Sequence, residues 1–340
     1  LGTILLRQQL ALTGAVNGYL ASATETGLKA GVPLSEVPQS ISVVTSKELE
    51  DRKPQQVEDA IKYTAGVNPS TWGTDNRFDQ FSIRGFDLGS TAIYRDGLPQ
   101  KTLSFAGFTN DPYMLERIDV LRGPSGVLFG SNDAGGMVNL VTKRPVFEHL
   151  GEARVGAASN GTAEIAFDWG DIINKDQTVA LRLTGLYRDG ETEVSNSEND
   201  RKFLSGGLTW APTDRTTLTF MAHAQEDSLT PLIFYPIAGE DFDTSLGKLP
   251  EDFPYQQSSY NHFNTSQKSA GWELLHDFDN GLTFSQRFRY AHQETNYAQL
   301  DFGWADTSGL NYYAFRNDED AKTYGVDNNL EWKSSFDSGE

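Results

Sequence analysis

Beyond residue 150 the chain alternates apolar and polar positions. In residues 178–188, Val179, Leu181, Leu183 and Tyr187 fall on one face, and Arg182, Thr184 and Arg188 on the other. Leu282, Phe284, Phe288 and Tyr290 oppose Thr283, Ser285, Arg287 and Arg289 in the same way. Period two is the signature of a strand with two unlike faces. Further strands are predicted where Ala163, Ile165, Phe167 and Trp169 oppose Glu164 and Asp168, and where Leu204, Leu208 and Trp210 oppose Ser205 and Thr209. Leu218, Phe220 and Ala222 against Thr217 and Thr219 make another, and Ala270, Trp272, Leu274 and Phe278 against Glu273 and Asp277 the next. Tyr324, Val326, Leu330 and Trp332 oppose Asp327, Asn329 and Glu331, and a weaker strand runs from Glu152 to Ala158. That gives eight strands.

Several of these run about ten residues, the length that crosses a bilayer at a tilt. Trp169, Trp210 and Trp332 fall at strand ends, where an interfacial girdle belongs. Connections alternate between short turns (174–176, 212–214, 279–281) and long polar, aromatic loops (189–200, 227–266, 296–317). That asymmetry predicts a transmembrane β-barrel. A soluble sandwich or propeller explains the alternation but not the asymmetry.

Before residue 146 the pattern is mixed. Residues 1–35 show no sustained period and read as a mostly extended arm. Ile41-Ser42-Val43-Val44 is a short strand, and Thr45 or Ser46 caps a helix with Glu48 and Glu50 in its first turn. Val57, Ala60, Ile61 and Tyr63-Thr64 share one helix face, closed by Gly66. Residues 81–84 and 92–95 are strands, the second ending in the Asp96-Gly97 turn. Asp111-Pro112 starts a short helix, and residues 117–121 and 137–141 are strands flanking a glycine-rich bend. The bend has phosphate-loop glycine spacing at Gly130 and Gly135, but Gly136-Met137 stands where Lys-Ser/Thr is needed, so it reads as a tight turn.

Composition sharpens the division. Of 340 residues, 38% are apolar and none is Cys, which excludes disulfide frameworks, thiolate zinc sites and Cys nucleophiles. No run reaches the length of a membrane-spanning helix. The formal charge of −19 argues against a nucleic-acid partner. Residues 1–145 hold 14 Lys+Arg against 15 Asp+Glu, net −1; residues 146–340 hold 14 against 32, net −18. The break at Pro145 marks a boundary between two kinds of structure. We expect an arm over 1–35, a mixed α/β domain over 36–147 and barrel strands over 148–340.

The order of motifs in the first half resembles one family. Pro38-Gln39-Ser40-Ile41-Ser42-Val43-Val44-Thr45 opens it, then Val57-Glu58-Asp59-Ala60 and Tyr63-Thr64-Ala65-Gly66-Val67. Phe81-Ser82-Ile83-Arg84-Gly85-Phe86, Tyr94-Arg95-Asp96-Gly97-Leu98 and Asp111-Pro112-Tyr113-Met114-Leu115-Glu116-Arg117-Ile118 follow. Val120-Leu121-Arg122-Gly123-Pro124-Ser125, Gly135-Gly136, Asn139 and Thr142-Lys143-Arg144-Pro145 complete it. These resemble the plug domain of TonB-dependent siderophore receptors, densely over 30–145 and through the barrel by pattern. The resemblance implies a plug inside a 22-stranded barrel in the outer membrane of a Gram-negative bacterium, about eight strands of it present here. On that reading residue 340 is not the natural C-terminus. Eight open strands leave backbone groups unpaired in lipid, and a closed eight-stranded barrel is too narrow for a plug.

The implied activity is uptake, with no catalytic residue. A ferric siderophore binds outside, and energy from TonB, with its inner-membrane ExbB/ExbD complex, displaces the plug. The iron arrives chelated, so no cofactor or metal ligands are expected, and His149, His223, His262, His276 and His292 are scattered. By resemblance Trp72, the Gly89-Ser90 apex and Phe105 supply plug contacts to the siderophore. Loop aromatics Phe234, Tyr235 and Tyr255, then Trp304, Tyr312 and Tyr313, close the site. Arg84 and Arg122 correspond to arginines that lock plug to barrel glutamates, here expected beyond residue 340. Thr3-Ile4-Leu5-Leu6 is the candidate TonB box, added as a strand to its partner. No signalling domain is expected before it, and the protein is expected to be monomeric among lipopolysaccharide.

Two other readings are carried. One is TonB-dependent transport of a cobalamin, a haem or an oligosaccharide. The other is a soluble β-rich sugar-binding or hydrolytic protein with a carboxylate pair such as Asp241 and Asp243. Acidic loops (Glu191, Glu193, Glu198 and Asp200; Glu240, Asp241, Asp243, Glu251 and Asp252) disfavour an anionic tricatecholate and favour a hydroxamate.

Overall fold

A computed structural model describes residues 14–332 apart from 17, 31, 70, 72, 74, 89–90, 131–132, 193–196, 233–258, 279 and 307. The first half contains β1 (Ala23–Thr24), β2 (Val32–Pro33), β3 (Ser40–Val44), α1 (Ser46–Arg52) and α2 (Val57–Ile61). Then come β4 (Val67–Pro69), β5 (Phe81–Ile83), β6 (Phe86–Asp87), β7 (Ile93–Arg95), β8 (Leu98–Pro99), β9 (Leu115–Arg122), α3 (Gly126–Phe129) and β10 (Gly136–Thr142). A five-stranded sheet has the order β3-β9-β10-β7-β8, with β10 and β7 parallel. A smaller sheet, β4-β5-β6, stands beside it.

Local chemistry sets these elements. Thr45 caps α1 in a capping box with Glu48, worth about 1 kcal/mol. Asp96 and Gly97 both have positive φ (54° and 77°), the requirement of the tight turn joining β7 to β8. The turn is tied to β10: Asp96 accepts from the Thr142 N–H (2.9 Å), and the Gly97 N–H donates to Asn139 Oδ1 (2.9 Å). Gly136 enters β10 at φ 137°, where a Cβ would sit 2.0 Å from the Leu121 carbonyl. Val57, Ile61, Phe81, Ile83, Ile118, Val120, Val138 and Leu140 form the core, which reaches Ala166, Leu186 and Phe203 of the second half.

The arm departs from expectation. From residue 23 it is folded onto the sheet rather than extended. Thr24 and Thr26 each donate to Asp119 Oδ2 (2.5 Å), whose other oxygen accepts from Arg117 Nε (3.0 Å). A buried guanidinium–carboxylate pair needs its remaining lone pairs filled, and the two threonines fill them.

The second half is one antiparallel sheet in chain order: β11 (Leu150–Ala157), β12 (Ala163–Ile172), β13 (Val179–Asp189), β14 (Asn199–Thr213), β15 (Thr216–Leu229), β16 (His262–Asp277), β17 (Leu282–Asp306) and β18 (Gly309–Trp332). Its apolar face is the outer one: Ile165 is 57% exposed while Asp168 and Arg182, on the concave side, are buried at 5% and 6%. Such a sheet is inside-out for water and suited to lipid. The plug packs against the concave side.

One expected loop is strand. Residues 296–306 and 309–317 lie within β17 and β18, which stay paired from Leu282↔Trp332 to Asp306↔Gly309. At the outer end the face that meets water turns polar (Glu294, Asn296, Asp318, Asp320), while the one that meets the plug mixes aromatic and polar residues (Thr295, Tyr297, Gln299, Phe315). The apolar/polar contrast that marks the lower strands therefore vanishes there.

Candidate functional site

At the outer end, two plug segments press onto the tall β17–β18 hairpin. Phe78 and Phe105 meet Phe263 of β16, Tyr297 of β17 and Phe315 of β18. Ring centroids lie 5.3 Å apart for Phe105–Tyr297 and Phe105–Phe315, and 5.4 Å for Phe78–Phe263. Arg77 sits among them, its guanidinium 5.4 Å from the Phe78 ring centroid and bonded to Asp75 from Nε (2.8 Å) and Nη2 (3.0 Å). Its Nη1 donates to the Tyr297 hydroxyl (2.6 Å). A cation this deep is tolerable because its carboxylate is chelated in the same loop.

The 101–109 segment is fixed backbone by backbone. The N–H groups of Phe105 and Ala106 donate to Glu319 (3.1 and 2.9 Å). The Gly107 carbonyl accepts from Gln293 (2.7 Å), and the Thr109 carbonyl from Gln267 (2.9 Å). Gly107 is required there, since a Cβ would come within 2.8 Å of the Phe78 ring and 2.9 Å of the Thr102 methyl.

Of the expected ligand contacts, Phe105 lies in this cluster, half-buried, and the segment's tip is Leu103-Ser104, with Ser104 at φ 54°. Trp304 and Tyr313 stack edge-on at 5.7 Å on the hairpin above. Tyr313 is two residues from Phe315, so both occupy one face of β18. The structure thus sets two aromatic pairs along one side of the hairpin, Phe105 with Phe315 at the plug and Tyr313 with Trp304 beyond them. Trp72, Gly89, Ser90, Phe234, Tyr235, Tyr255, Asp241, Asp243 and Thr3-Ile4-Leu5-Leu6 lie outside the described residues. His292, Glu294 and Asp320 bring ligand atoms within 4.8 Å of one another on the outer face, where His292 Nε2 bonds Asp320 (3.0 Å).

Buried ion pairs hold the plug to the wall. Arg188 of β13 bonds plug Asp111 (2.9 Å) and wall Glu164 (2.6 Å). Arg182 bonds plug Glu116 (2.7 Å) and wall Asp168 (2.7 Å). Arg201 bonds Asp227 at 2.6 Å and reaches Asp111 at 3.5 Å. In the reverse sense plug Arg144 grips Glu273 of β16 from Nε and Nη2 (2.9 and 2.7 Å). Arg287 joins Glu25 of the arm to Glu273. Burial works to raise the Asp111 carboxyl, but the Arg188 and Arg201 charges outweigh it and hold it below the usual range.

The sequence does not announce these pairings. Arg182 and Arg188 were legible only as the polar face of a strand, and Asp111 only as a helix start. Arg84 and Arg122, the expected locking pair, lie together on the plug. Arg122 donates to Ser40 Oγ (2.9 Å), Ser42 Oγ (2.9 Å) and the Ala65 carbonyl (3.1 Å). Among the described residues neither arginine meets a carboxylate.

Residues 33–137 match the model of the TonB-dependent receptor plug domain. The chain is 35% identical over 280 residues to the ferrichrome outer membrane transporter/phage receptor of Escherichia coli (strain K12), covering 81% of this chain and 37% of that protein. It is 33% identical over 319 residues to the ferrioxamine B receptor of Salmonella typhimurium (strain LT2), covering 92% of this chain and 45% of that protein. It therefore spans less than half the length of these relatives. Among solved structures, FpvA of P. aeruginosa bound to heterologous pyoverdines superposes with a TM-score of 0.84 at 20% identity, over 96% of this chain and 44% of that one. BauA, the ferric preacinetobactin receptor of Acinetobacter baumannii, gives 0.81 at 20% identity, over 95% and 48%. With a plug seated on the concave face of an inside-out sheet, the chain belongs to the TonB-dependent receptors of the Gram-negative outer membrane.

Proposed function

We propose that this protein binds a ferric siderophore at the outer face of its plug and imports it when TonB, driven by the ExbB/ExbD complex, displaces that plug. The observation that carries this reading is the two aromatic pairs along the hairpin, plug Phe105 with Phe315 and, beyond them, Tyr313 with Trp304. A site built half on the moving plug and half on the fixed wall loses its ligand when the two separate. Recognition by an aromatic-lined concavity with few polar anchors suits a bulky, largely apolar chelate. Trp72, Gly89, Ser90 and Tyr235 complete the proposed site. The protein performs no chemistry on its cargo, needs no cofactor of its own, and works as a monomer among lipopolysaccharide.

The proposed organisation is an arm over 1–35 with the TonB box at Thr3-Ile4-Leu5-Leu6, a plug over 36–147 and barrel from 148. Arg84 and Arg122 are proposed as a lock that awaits barrel carboxylates. Burial and the adjacent Arg84 charge hold Arg122 below its usual value, a strain that facing carboxylates would relieve. The cargo is proposed to be a hydroxamate. The relatives named for ferrichrome and ferrioxamine B support this, as do the acidic residues of the outer loops, which repel an anionic tricatecholate.

Titration of the detergent-solubilised protein tests the reading, with tryptophan fluorescence as the signal. A ferric trihydroxamate is expected to quench it saturably. Tight binding of a ferric tricatecholate with no response to any ferric hydroxamate would overturn the cargo assignment.

A further inference from the structure

Midway along the plug–wall interface, below the aromatic surface, lies a cavity of about 40 Å³. It is lined by Arg95 of β7, by His223 of β15, and by Ser269 and Arg289 of β16 and β17. Arg95 is 3% exposed and His223 8%. Arg95 Nη2 donates to Ser269 Oγ (2.7 Å), but among the described residues neither its Nη1 nor either ring nitrogen of His223 has a partner within hydrogen-bond distance. A buried polar group left without a partner is destabilising, more so when it is charged.

The charge is also uncompensated. Among the described residues neither Arg95 nor Arg289 has a carboxylate within salt-bridge distance. Arg289 spends its guanidinium on plug carbonyls: Arg95 O (2.6 Å), Leu98 O (3.3 Å) and Pro99 O (3.0 Å). Two carboxylates do border the cavity, but both are engaged. Asp96 accepts from Thr142 and pairs with Arg144 (3.1 Å). Glu273 pairs with Arg144 (2.7 Å) and Arg287 (3.4 Å). Lys143 is held by Asp168 (2.8 Å). Among the described residues, two buried cations thus share a seam with three nitrogens that lack a partner and no unengaged carboxylate.

We propose that this cavity is a binding site for a small inorganic monoanion of chloride's size, coordinated by Arg95 Nη1 and a ring N–H of His223. The volume admits one such ion with a water; a single water needs roughly 10–15 Å³ on the same measure. The ion joins a plug residue to a wall residue, so it tightens the seated plug and is released when β7 leaves the wall. This role is separate from cargo recognition above.

Crystals of the detergent-solubilised protein grown in bromide give the direct test. An anomalous peak between Arg95 and His223 is expected; a cavity holding only water in saturating bromide would overturn the proposal. In solution, thermal unfolding is followed as bromide or chloride replaces gluconate at constant ionic strength. A saturable upward shift of the plug transition is expected in the wild-type protein. Superimposable halide and gluconate titrations would contradict it. Arg95→Gln is expected to weaken the halide response by about tenfold or more, the loss of one charge-assisted hydrogen bond. Ser269→Ala, which leaves both coordinating groups, is expected to retain a saturable response. The wild-type anomalous map decides the matter even if Arg95→Gln does not fold.

Discussion

Arg188 on the barrel wall and Asp111 on the plug meet at 2.9 Å with both side chains buried, and Asp111 is also within 3.5 Å of Arg201. One plug carboxylate therefore answers two wall cations. Breaking a buried pair by removing one partner costs about 3–5 kcal/mol, because the charge left behind has lost its solvent. Asp111→Asn is expected to loosen the seated plug by less than that range, because Arg188 keeps Glu164 and Arg201 keeps Asp227, and the change is read as a lower thermal midpoint and faster proteolysis of the plug. Arg188→Gln is expected to cost less in the Asp111→Asn background than alone, since the contact it breaks with Asp111 is already weakened, while its loss of Glu164 is the same in both. Additive effects in the double variant would contradict a direct coupling.

Acidity within the plug gives a second prediction. Burial raises Asp79 to about 7, with the Asn110 hydrogen bonds and the Arg201 charge opposing. Burial, then the Asp79 charge, raises Glu58, whose Oε1 accepts from the Gln80 N–H (2.7 Å). An unfolded carboxyl titrates near pH 4, so between about pH 4 and 7 the folded state holds more protons. Stability of this region then falls as pH rises through that window. Hydrogen exchange at the Gln80 and Asn110 amides is expected to be faster at about pH 8 than at about pH 5, after correction for intrinsic rates. Asp79→Asn is expected to flatten the dependence; an unchanged slope would refute the assignment.

Gly107 offers a steric test. Gly107→Ala places a methyl within 2.8 Å of the Phe78 ring and must displace the segment carrying Phe105. Ferric hydroxamate affinity is expected to fall while the barrel's thermal midpoint stays unchanged. Unaltered affinity would show that the 101–109 segment does not shape the site.

The outer aromatic pair gives another. Trp304→Ala is expected to weaken ferric hydroxamate binding by about 1–3 kcal/mol, as does loss of a buried aromatic anchor. An effect confined to folding yield, with affinity intact, would place the residue outside the site.

Much of the architecture is legible in the sequence where one physical contrast dominates. Lipid against lumen writes itself as Ile165, Phe167 and Trp169 alternating with Glu164 and Asp168. Thr45 with Glu48, and Asp96 with Gly97, announce their cap and turn because each needs only neighbouring residues. The extent of β17 and β18 is not legible, since above the lipid the water-facing side turns polar and the plug-facing side mixes aromatic with polar residues. Nor is the interface: Arg182 and Glu116 are 66 residues apart in sequence, Arg144 and Glu273 129. Nothing in the local pattern of a strand arginine states which carboxylate it will meet. The aromatic surface was half legible, Trp304 and Tyr313 as loop aromatics and Phe105 as a plug contact, while Phe263, Tyr297 and Phe315 emerge only from strand register.

Import through plug displacement is tested most directly by radioiron uptake in iron-starved cells that lack their own hydroxamate receptors and express this protein from its complete gene. Binding to cells and accumulation inside them are measured separately, for the wild type and for a deletion of Leu1–Leu6. The account predicts that the wild type binds and accumulates a ferric hydroxamate, and that the deletion binds it equally but accumulates none. Accumulation by the deletion at the wild-type rate, or no binding by either, would contradict it.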